Sequence, residues 1–438
     1  MHFGIANILF LIIFVAGVGY FTMNVRKLMR NIKLGKDVDR SDNKSARWKN
    51  MAMVALGQSK MVTRPIAGLL HIIVYVGFII INIEVLEIII DGIFGTHRIF
   101  QPILGNTVYG FLIGTFEILA VLVLVSVIIF WLRRNAIKLA RFIKPEMKGW
   151  PKNDGNIILY FEVVLMTLFL TMNATDTSFQ EAGIGNWISG SFASIYGENP
   201  ETLHLIERGA WWAHIVGILI FLNYLYFSKH LHILLAFPNT FYANLKPKGQ
   251  LTNVDSVTKE VMLMMDPTAD PFAAPAEDET EGEPEKFGAS DVTDLNWVQL
   301  LNAYTCTECG RCTSECPANQ TGKKLSPRKI MMDTRDRLEE VGKNIDANKG
   351  EFVDDGKSLL DNYITKEELW ACTSCNACVE ACPIGIDPLS IIIDMRRYLV
   401  MEQSAAPTDL NNMMSNIENN GAPWPFNQMD RLNWKEEV

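Results

Sequence analysis

The 438-residue sequence contains no glycine-rich G-x-G-x-x-G loop for a flavin or nicotinamide cofactor and no nucleophile–base pair, so it carries no recognisable substrate-activating site. No basic surface interleaved with aromatics is present, which excludes a nucleic-acid partner. Residues 173–204 hold no Lys or Arg at all, and residues 91–106 hold only Arg98. The first apolar run lacks a basic leading region and a small-residue cleavage site, so it reads as a retained helix rather than a signal peptide. Cysteine is absent outside two short stretches, which argues against the disulfide framework of a secreted domain.

Those two stretches hold all eight cysteines: Cys306-Thr-Glu-Cys309-Gly-Arg-Cys312-Thr-Ser-Glu-Cys316-Pro317 and Cys372-Thr-Ser-Cys375-Asn-Ala-Cys378-Val-Glu-Ala-Cys382-Pro383. Each is C-x2-C-x2-C-x3-C-P, the run that wraps a [4Fe–4S] cluster. Three thiolates two residues apart converge on three iron corners, and in two-cluster ferredoxins the fourth cysteine serves the other cluster. Cys306, Cys309, Cys312 and Cys382 are therefore expected around one cluster, and Cys372, Cys375, Cys378 and Cys316 around the second. Structural zinc is the competing reading, but zinc sites draw on pairs set well apart rather than on duplicated tetrads.

Hydrophobic residues make up 49% of the chain, and nearly all long apolar runs precede residue 240. Five candidate membrane helices fall at about 4–25, 65–90, 108–132, 157–172 and 205–227, the fourth being short against the ~20 residues that cross a bilayer. Residues 26–64 carry eleven Lys/Arg against three Asp, and residues 133–154 carry seven against Glu146 and Asp154. Basic loops stay on the cytoplasmic side. This places the N-terminus outside the inner membrane and everything after the fifth helix in the cytoplasm.

The net charge of −9 conceals a basic membrane half and an acidic stretch, since residues 277–285 alone hold six carboxylates. With Pro267, Pro271, Pro275 and Pro284 around it, this stretch reads as a disordered spacer. The domain boundaries expected are 1–245 for the membrane domain, 246–292 for the linker, 293–400 for the cluster domain and 401–438 for a partner-binding tail. Between the cysteine runs, Leu325-Ser-Pro-Arg-Lys-Ile opens one helix with Pro327 at an early position, and Lys366-Glu-Glu-Leu-Trp-Ala leads another into the second run. The fold class is all-α: a five-helix transmembrane bundle plus a helical two-cluster ferredoxin domain.

Four histidines bear on the membrane half: His71, His214, His230 and His232. On one continuous helix His214 and His232, five turns apart, share a face about 27 Å apart along the axis and cannot ligate the same haem. His230 would point about 160° from His214 on that helix, the poorer position. A lone buried histidine is usually a satisfied core residue, yet ionisable groups inside hydrocarbon are costly and tend to be functional. Glu84, Glu87, Glu117 and Glu162 also fall in or at the ends of spans, and read equally as proton carriers, as helix-end groups reaching for the interface, or as interhelical hydrogen-bonders.

The phrase Cys306-Thr-Glu-Cys-Gly-Arg-Cys through Thr321-Gly-Lys-Lys-Leu-Ser-Pro-Arg328 resembles membrane-bound iron–sulfur oxidoreductases related to heterodisulfide reductase and to electron-transfer-flavoprotein:menaquinone oxidoreductase. Their cluster domain is similar to the C-terminal half of succinate dehydrogenase iron–sulfur subunits. The phrase Trp211-Trp-Ala-His214 through His230-Leu-His232, with Leu70-His71, resembles the cytochrome b (gamma) subunit of respiratory nitrate reductase. That resemblance implies haem b held by His71 and His232, with His71–His214 the alternative pairing, and Ile81 stands where a second haem would need its ligand. It also implies a quinone, menaquinone or another, as the membrane substrate.

The cysteine-rich CCG module of fused relatives is missing, so a separate CCG-type subunit or a flavoprotein is the expected cytoplasmic partner. The segment from Ile417 to Trp434 resembles the joint to that module. The function expected is a membrane-anchoring electron-transfer subunit of a respiratory oxidoreductase. The alternatives are an iron–sulfur sensor or assembly scaffold without conduction, and a haem-free quinone oxidoreductase subunit.

Overall fold

The computed structural model describes residues 4–268 and 286–436, so the acidic run at 277–285 and three of its four flanking prolines lie outside the described residues. Among the described residues five helices are long and apolar enough to cross a membrane: α1 (Ile5–Ile32), α2 (Pro65–Phe94), α3 (Phe100–Asn135), α4 (Trp150–Thr175) and α5 (Pro200–Tyr224). The shortest has 25 residues, about 38 Å at 1.5 Å per residue, which exceeds a ~30 Å hydrocarbon core. Each of α2, α4 and α5 opens with proline in its first turn, where the missing N–H costs nothing. The fourth helix is longer than its apolar run because Trp150-Pro151 starts it well before Ile157.

The helices close into a ring: α1 packs on α2 and α5, α2 on α3, α3 on α4, and α4 on α5. Tyr109, Ile113, Phe116, Ala120 and Phe169 fill its centre with no exposed surface. Close approach is permitted by Gly77 of α2, where a Cβ would sit 2.5 Å from a Val123 methyl of α3. The apolar side chains left exposed, such as Ile12, Val15, Ile79 and Val125, lie on the spans, where lipid rather than water faces them.

The chain does not run straight through from His214 to His232. Helix α5 ends at Tyr224, short 3-10 turns follow at Leu225–Phe227 and Lys229–Leu231, and a new helix α6 (His232–Phe241) begins. Extended Ser228 makes the break, and its hydroxyl and the Lys229 backbone N–H both bond the buried Asp154 of α4, at 2.7 and 3.1 Å. The expectation of one shared helix face for His214 and His232 is thereby corrected.

The described residues around the two cysteine runs form a second unit whose regular elements are all helices. Helix α7 (Trp297–Thr305) leads into the first cysteine run, α8 (Pro327–Ala347) is the long helix of the insert with Pro327 at its first position, and α9 (Pro388–Arg397) follows the second run. Among the described residues there is no strand, only isolated bridges such as Lys36 with Asn296. Within the stretch read as linker, Asp255–Met265 is helical, and residues 289 and 292 are already buried in the second unit.

Candidate redox centre

The two cysteine runs fold as a repeat. Glu308 and Ser374, then Gly310 and Asn376, all take left-handed backbone conformations, and the latter two cap short helices, Arg311–Glu315 and Ala377–Ala381, that pack on each other. Glycine and asparagine are the residues that enter this region at least cost. The crossing of the two short helices interleaves the thiols. One cavity is lined by Cys306, Cys309, Cys312, Cys378 and Cys382, with Arg328; a second by Cys316, Cys372, Cys375 and Cys378. The backbone N–H of Ile386 points at Cys382 Sγ (3.3 Å), and that of Ser374 at Cys372 Sγ (3.4 Å).

These residues fit polynuclear clusters. All eight cysteines are free of disulfide bonds, and burial pushes the thiols of Cys306 and Cys378 up to about 12 and that of Cys382 to about 11. Buried thiols of this kind are stable as thiolates only with cations between them. Among the described residues no three His, Cys, Asp or Glu groups converge closely enough for a single metal ion, whereas a cluster spaces its ligands more widely.

The first cavity rests on the membrane domain. Lys60, just before α2, donates to the carbonyls of Glu380 (3.1 Å) and Cys382 (3.4 Å). Arg311 donates to the carbonyls of Lys60 (3.0 Å) and Met61 (3.3 Å), and Arg64 bonds Ser314 and Glu315 at 2.7 and 2.8 Å. Asn239 of α6 reaches the carbonyl of Ile384 (2.9 Å). On the other side Arg328, fully buried, bonds the Arg141 carbonyl at 2.7 Å and Glu146 at 2.6 Å. The basic loops of the membrane half are thus the seat of the cluster domain.

Behind that seat the structure gathers three of the four histidines. The rings of His71 and His232 lie 6.4 Å apart, and His230 sits 5.4 Å from His232. The chain break at Ser228 brings His230 to this group, contrary to its placement on a straight helix. His232 Nδ1 faces the Lys229 carbonyl at 3.2 Å, which fixes the ring and leaves Nε2 free, and the buried His71 Nδ1 has no partner. Burial, then the neighbouring His232 and His71, holds His230 down to about 3, so it is uncharged at neutral pH. An iron between two imidazoles, each at ~2 Å from the metal, needs ring centres about 6 Å apart, which the His71–His232 spacing meets. His214 is elsewhere, buried against Phe169 at 6.2 Å.

The acidic residues of the spans are not helix-end groups reaching for water. Glu117 accepts from Asn173 (3.1 Å) and from the Ile188 and Ser189 backbones (2.7 and 3.0 Å). Glu87 accepts from the Phe100 N–H and the Tyr109 hydroxyl at 2.8 and 2.9 Å, and Glu84 is buried with one oxygen unpartnered. Sequence reasoning missed Lys229, Glu308, Arg98 and Asp176, whose roles arise from contacts distant in the chain.

Fold and site together define a helical membrane protein with an iron–sulfur domain of the dicluster type: residues 305–386 match the model of the 4Fe-4S dicluster domain. The relatives are iron–sulfur oxidoreductases. The chain is 30% identical over its whole length to "Probable iron-sulfur-binding oxidoreductase FadF" of Bacillus subtilis, covering 62% of that protein. It is 26% identical over 92% of its length to "EtfAB:quinone oxidoreductase" of Syntrophomonas wolfei, covering 55% of it. A third similarity, 33% identity over 35% of the chain and 24% of the relative, is to "Probable membrane-anchored ferredoxin" of Chromohalobacter salexigens. The chain therefore spans about three fifths of the length of the first two relatives. No solved structure matches it.

Proposed function

We propose that this chain is the membrane-anchoring electron-transfer part of a quinone-linked oxidoreductase, joining a cytoplasmic redox partner to the membrane quinone. The observation that carries this reading is the junction at Lys60–Arg64 and Arg311, where the loop leading into α2 and its His71 also grips the Cys382 turn. A sensor or scaffold has no need of histidines gathered directly behind an iron–sulfur loop.

In this reading Cys306, Cys309, Cys312 and Cys382 hold one [4Fe–4S] cluster, and Cys372, Cys375, Cys378 and Cys316 the other. The lining of the two cavities supports that crossed assignment, with Cys378 between them. His71 and His232 are the proposed ligands of one haem b. When bound, these groups supply one-electron carriers that reconcile a two-electron donor with a two-electron, two-proton quinone. The chain's own residues do the rest: Arg328 and Met331 of the buried helix α8 wall the first cavity, Lys229 fixes the His232 ring, and Arg311 and Lys60 lock the cluster domain to the bundle. The docking of the cluster domain on the basic loops supports a cytoplasmic placement of both. The partner proposed is a separate CCG-type iron–sulfur subunit or a flavoprotein.

Anaerobically purified chain should contain about eight irons, give a pyridine haemochrome, and show haem and cluster spectra that respond to a quinol analogue. Spectra indifferent to the quinol would replace this reading with that of a sensor. Iron without haemochrome would leave a haem-free quinone-linked subunit. Cys316→Ser should damage the paramagnetic signal of the second cluster and spare the first.

A further inference from the structure

We propose that Glu84, Glu87 and Asp91 of α2 form a proton ladder between the interior of the bundle and the face opposite the cluster domain, with Glu84 as its buried, proton-holding end. This rests on the quinone-linked reading above and adds the side of the membrane with which the quinone's protons exchange.

The three carboxyl groups are spaced i, i+3 and i+7, which sets them within about 60° of one another on one helix face and spreads them over about 10 Å of its length. All three are buried, and the path meets solvent in the loop beyond, where His97 is half-exposed. The other end of α2 belongs to the cluster domain: Arg64, at its start, bonds Ser314 and stands ~40 Å along the axis from Asp91. His71 is ~20 Å from Glu84 by the same measure. The ladder therefore opens away from the iron–sulfur domain.

Four carboxyl groups at that end are supplied with donors. Asp91 accepts from the Thr96 hydroxyl and the Arg98 N–H (2.7 Å), and Glu87 from the Phe100 N–H (2.8 Å) and the Tyr109 hydroxyl (2.9 Å). Asp176 accepts from the Arg98 guanidinium (2.8 Å), and Glu117 from Asn173 and the Ile188 and Ser189 N–H groups. Glu84 is the exception. It lies one turn deeper than Glu87, one of its oxygens is enclosed without a donor, and the charged groups acting on it are Glu87, Arg98, Asp91 and Glu117. Helix α1, packed on α2, brings no charge before Arg26.

Charge balance then assigns the proton. Five buried carboxyl groups face one guanidinium and one half-exposed imidazole, an excess of negative charge that an apolar interior does not hold. Among the described residues no three acidic or imidazole groups converge closely enough for a metal ion, so protons make up the difference. The donors around the other four suit carboxylates, whereas the enclosed oxygen of Glu84 suits a neutral carboxyl group. A hop from Glu84 to Glu87 breaks one O–H bond, forms another and moves no electron. Asp91 continues the path to water at residues 96–97. For each quinol oxidised, two protons leave this way while two electrons pass to the cofactors, and reduction of a quinone runs both in reverse.

The test places the full chain, with its cofactors, in liposomes that hold a pH dye, and supplies a quinol analogue with ferricyanide outside. Chains whose cluster domain faces outward should pass two electrons per quinol to two ferricyanide ions and release two protons into the lumen, above the rate of empty liposomes. Glu84→Gln should slow both by about tenfold or more, with iron and haem content unchanged, and Glu84→Asp should restore most of the rate. Protons appearing only outside, or an unaltered rate in Glu84→Gln, would overturn the inference and leave the proposed function standing. Wild-type chain that passes no electrons from quinol would overturn that function itself. Infrared spectra need no quinone: the wild type should show a protonated-carboxyl band that shifts in heavy water and is missing from Glu84→Gln. Absence of that band, or its loss on adding sodium, would overturn the ladder. Glu87→Gln carries the same expectation for rate and lumen acidification if Glu84→Gln does not fold.

Discussion

Lys229 pairs through its ammonium with the carboxylate of Glu308, and its own backbone carbonyl faces His232 Nδ1 at 3.2 Å. Glu308 sits between Cys306 and Cys309, so a single residue of the membrane domain touches the first cysteine loop with its side chain and orients a candidate haem ligand with its backbone. The ammonium also reaches the Pro151 carbonyl at 2.7 Å, and Asp154 lies 3.8 Å away. Both members of the Lys229–Glu308 pair are buried, at 8% and 2% exposure, which makes the junction intolerant of losing either charge.

Replacing Glu308 with Gln strands Lys229 and Arg335. Removing one partner of a buried pair costs about 3–5 kcal/mol, and the low end is expected because Asp154 and Asp336 remain near the two cations. Thermal unfolding of the detergent-solubilised variant should show a lower midpoint with the iron content of the wild type retained before unfolding. A midpoint equal to that of the wild type would mean the pair carries no net stability.

The same pair sets an acid limit. Burial alone would raise the Glu308 carboxyl, but Lys229 and Arg335 outweigh it and hold the group below its ordinary range. A depressed carboxylate contributes stability that is present above its unfolded pKa, about 4.3, and is lost as pH falls through the lower folded value. Glu146, held down by Arg328 against burial, acts in the same direction. Unfolding midpoints should therefore be insensitive to these groups between neutral pH and about 5 and fall below it, more steeply in the wild type than in Glu308→Gln. Parallel profiles for the two proteins would remove Glu308 from the account.

Histidine variants separate the two pairings that the sequence leaves open. His71→Ala and His232→Ala should each abolish the low-spin haem band and keep the cluster signals, because the two rings are neighbours at 6.4 Å. His214→Ala, whose ring packs on Phe169, should keep the band. Loss of haem in His214→Ala with retention in His232→Ala would favour the other pairing.

The parts of this protein that are legible in its sequence are those governed by local spacing. The cysteine loops follow from C-x2-C-x2-C-x3-C-P, and the five spans from apolar length. The start of α8 follows from Pro327 after its cap Ser326. The break between α5 and α6 is not legible, because residues 225–231 hold no proline or glycine, and what ends the helix is the distant Asp154 accepting from Ser228 and Lys229. For the same reason the sequence places His230 on the wrong side of its helix, while the structure sets it beside His232. Glu308 reads as a loop residue with no role until Lys229 and Arg335 arrive from other helices. Arg98 is visible only as the single cation of its loop.

That arginine supports the last expectation. Arg98 is 7% exposed and donates to Asp176 (2.8 Å), Tyr109 (3.2 Å) and Asn173 (3.0 Å), with its guanidinium 4.1 Å from the Phe179 ring centre. Asn173 and Tyr109 pass the connection on to Glu117 and Glu87, so one cation organises the ends of α2, α3 and α4. Arg98→Gln should destabilise the bundle by about 3 kcal/mol or more, since the buried Asp176 keeps its bonds from Ser178 and the Phe179 N–H but, as a charge partner, only the half-exposed His97 at 3.2 Å. Asp176→Asn should cost a comparable amount. If the pair is the reason, the double variant should be less damaging than the sum of the single ones by ~1–3 kcal/mol, read from unfolding in detergent. Strict additivity would mean that Arg98 acts through Tyr109 and Asn173 instead, and a Tyr109→Phe cycle with Arg98→Gln would then carry the coupling.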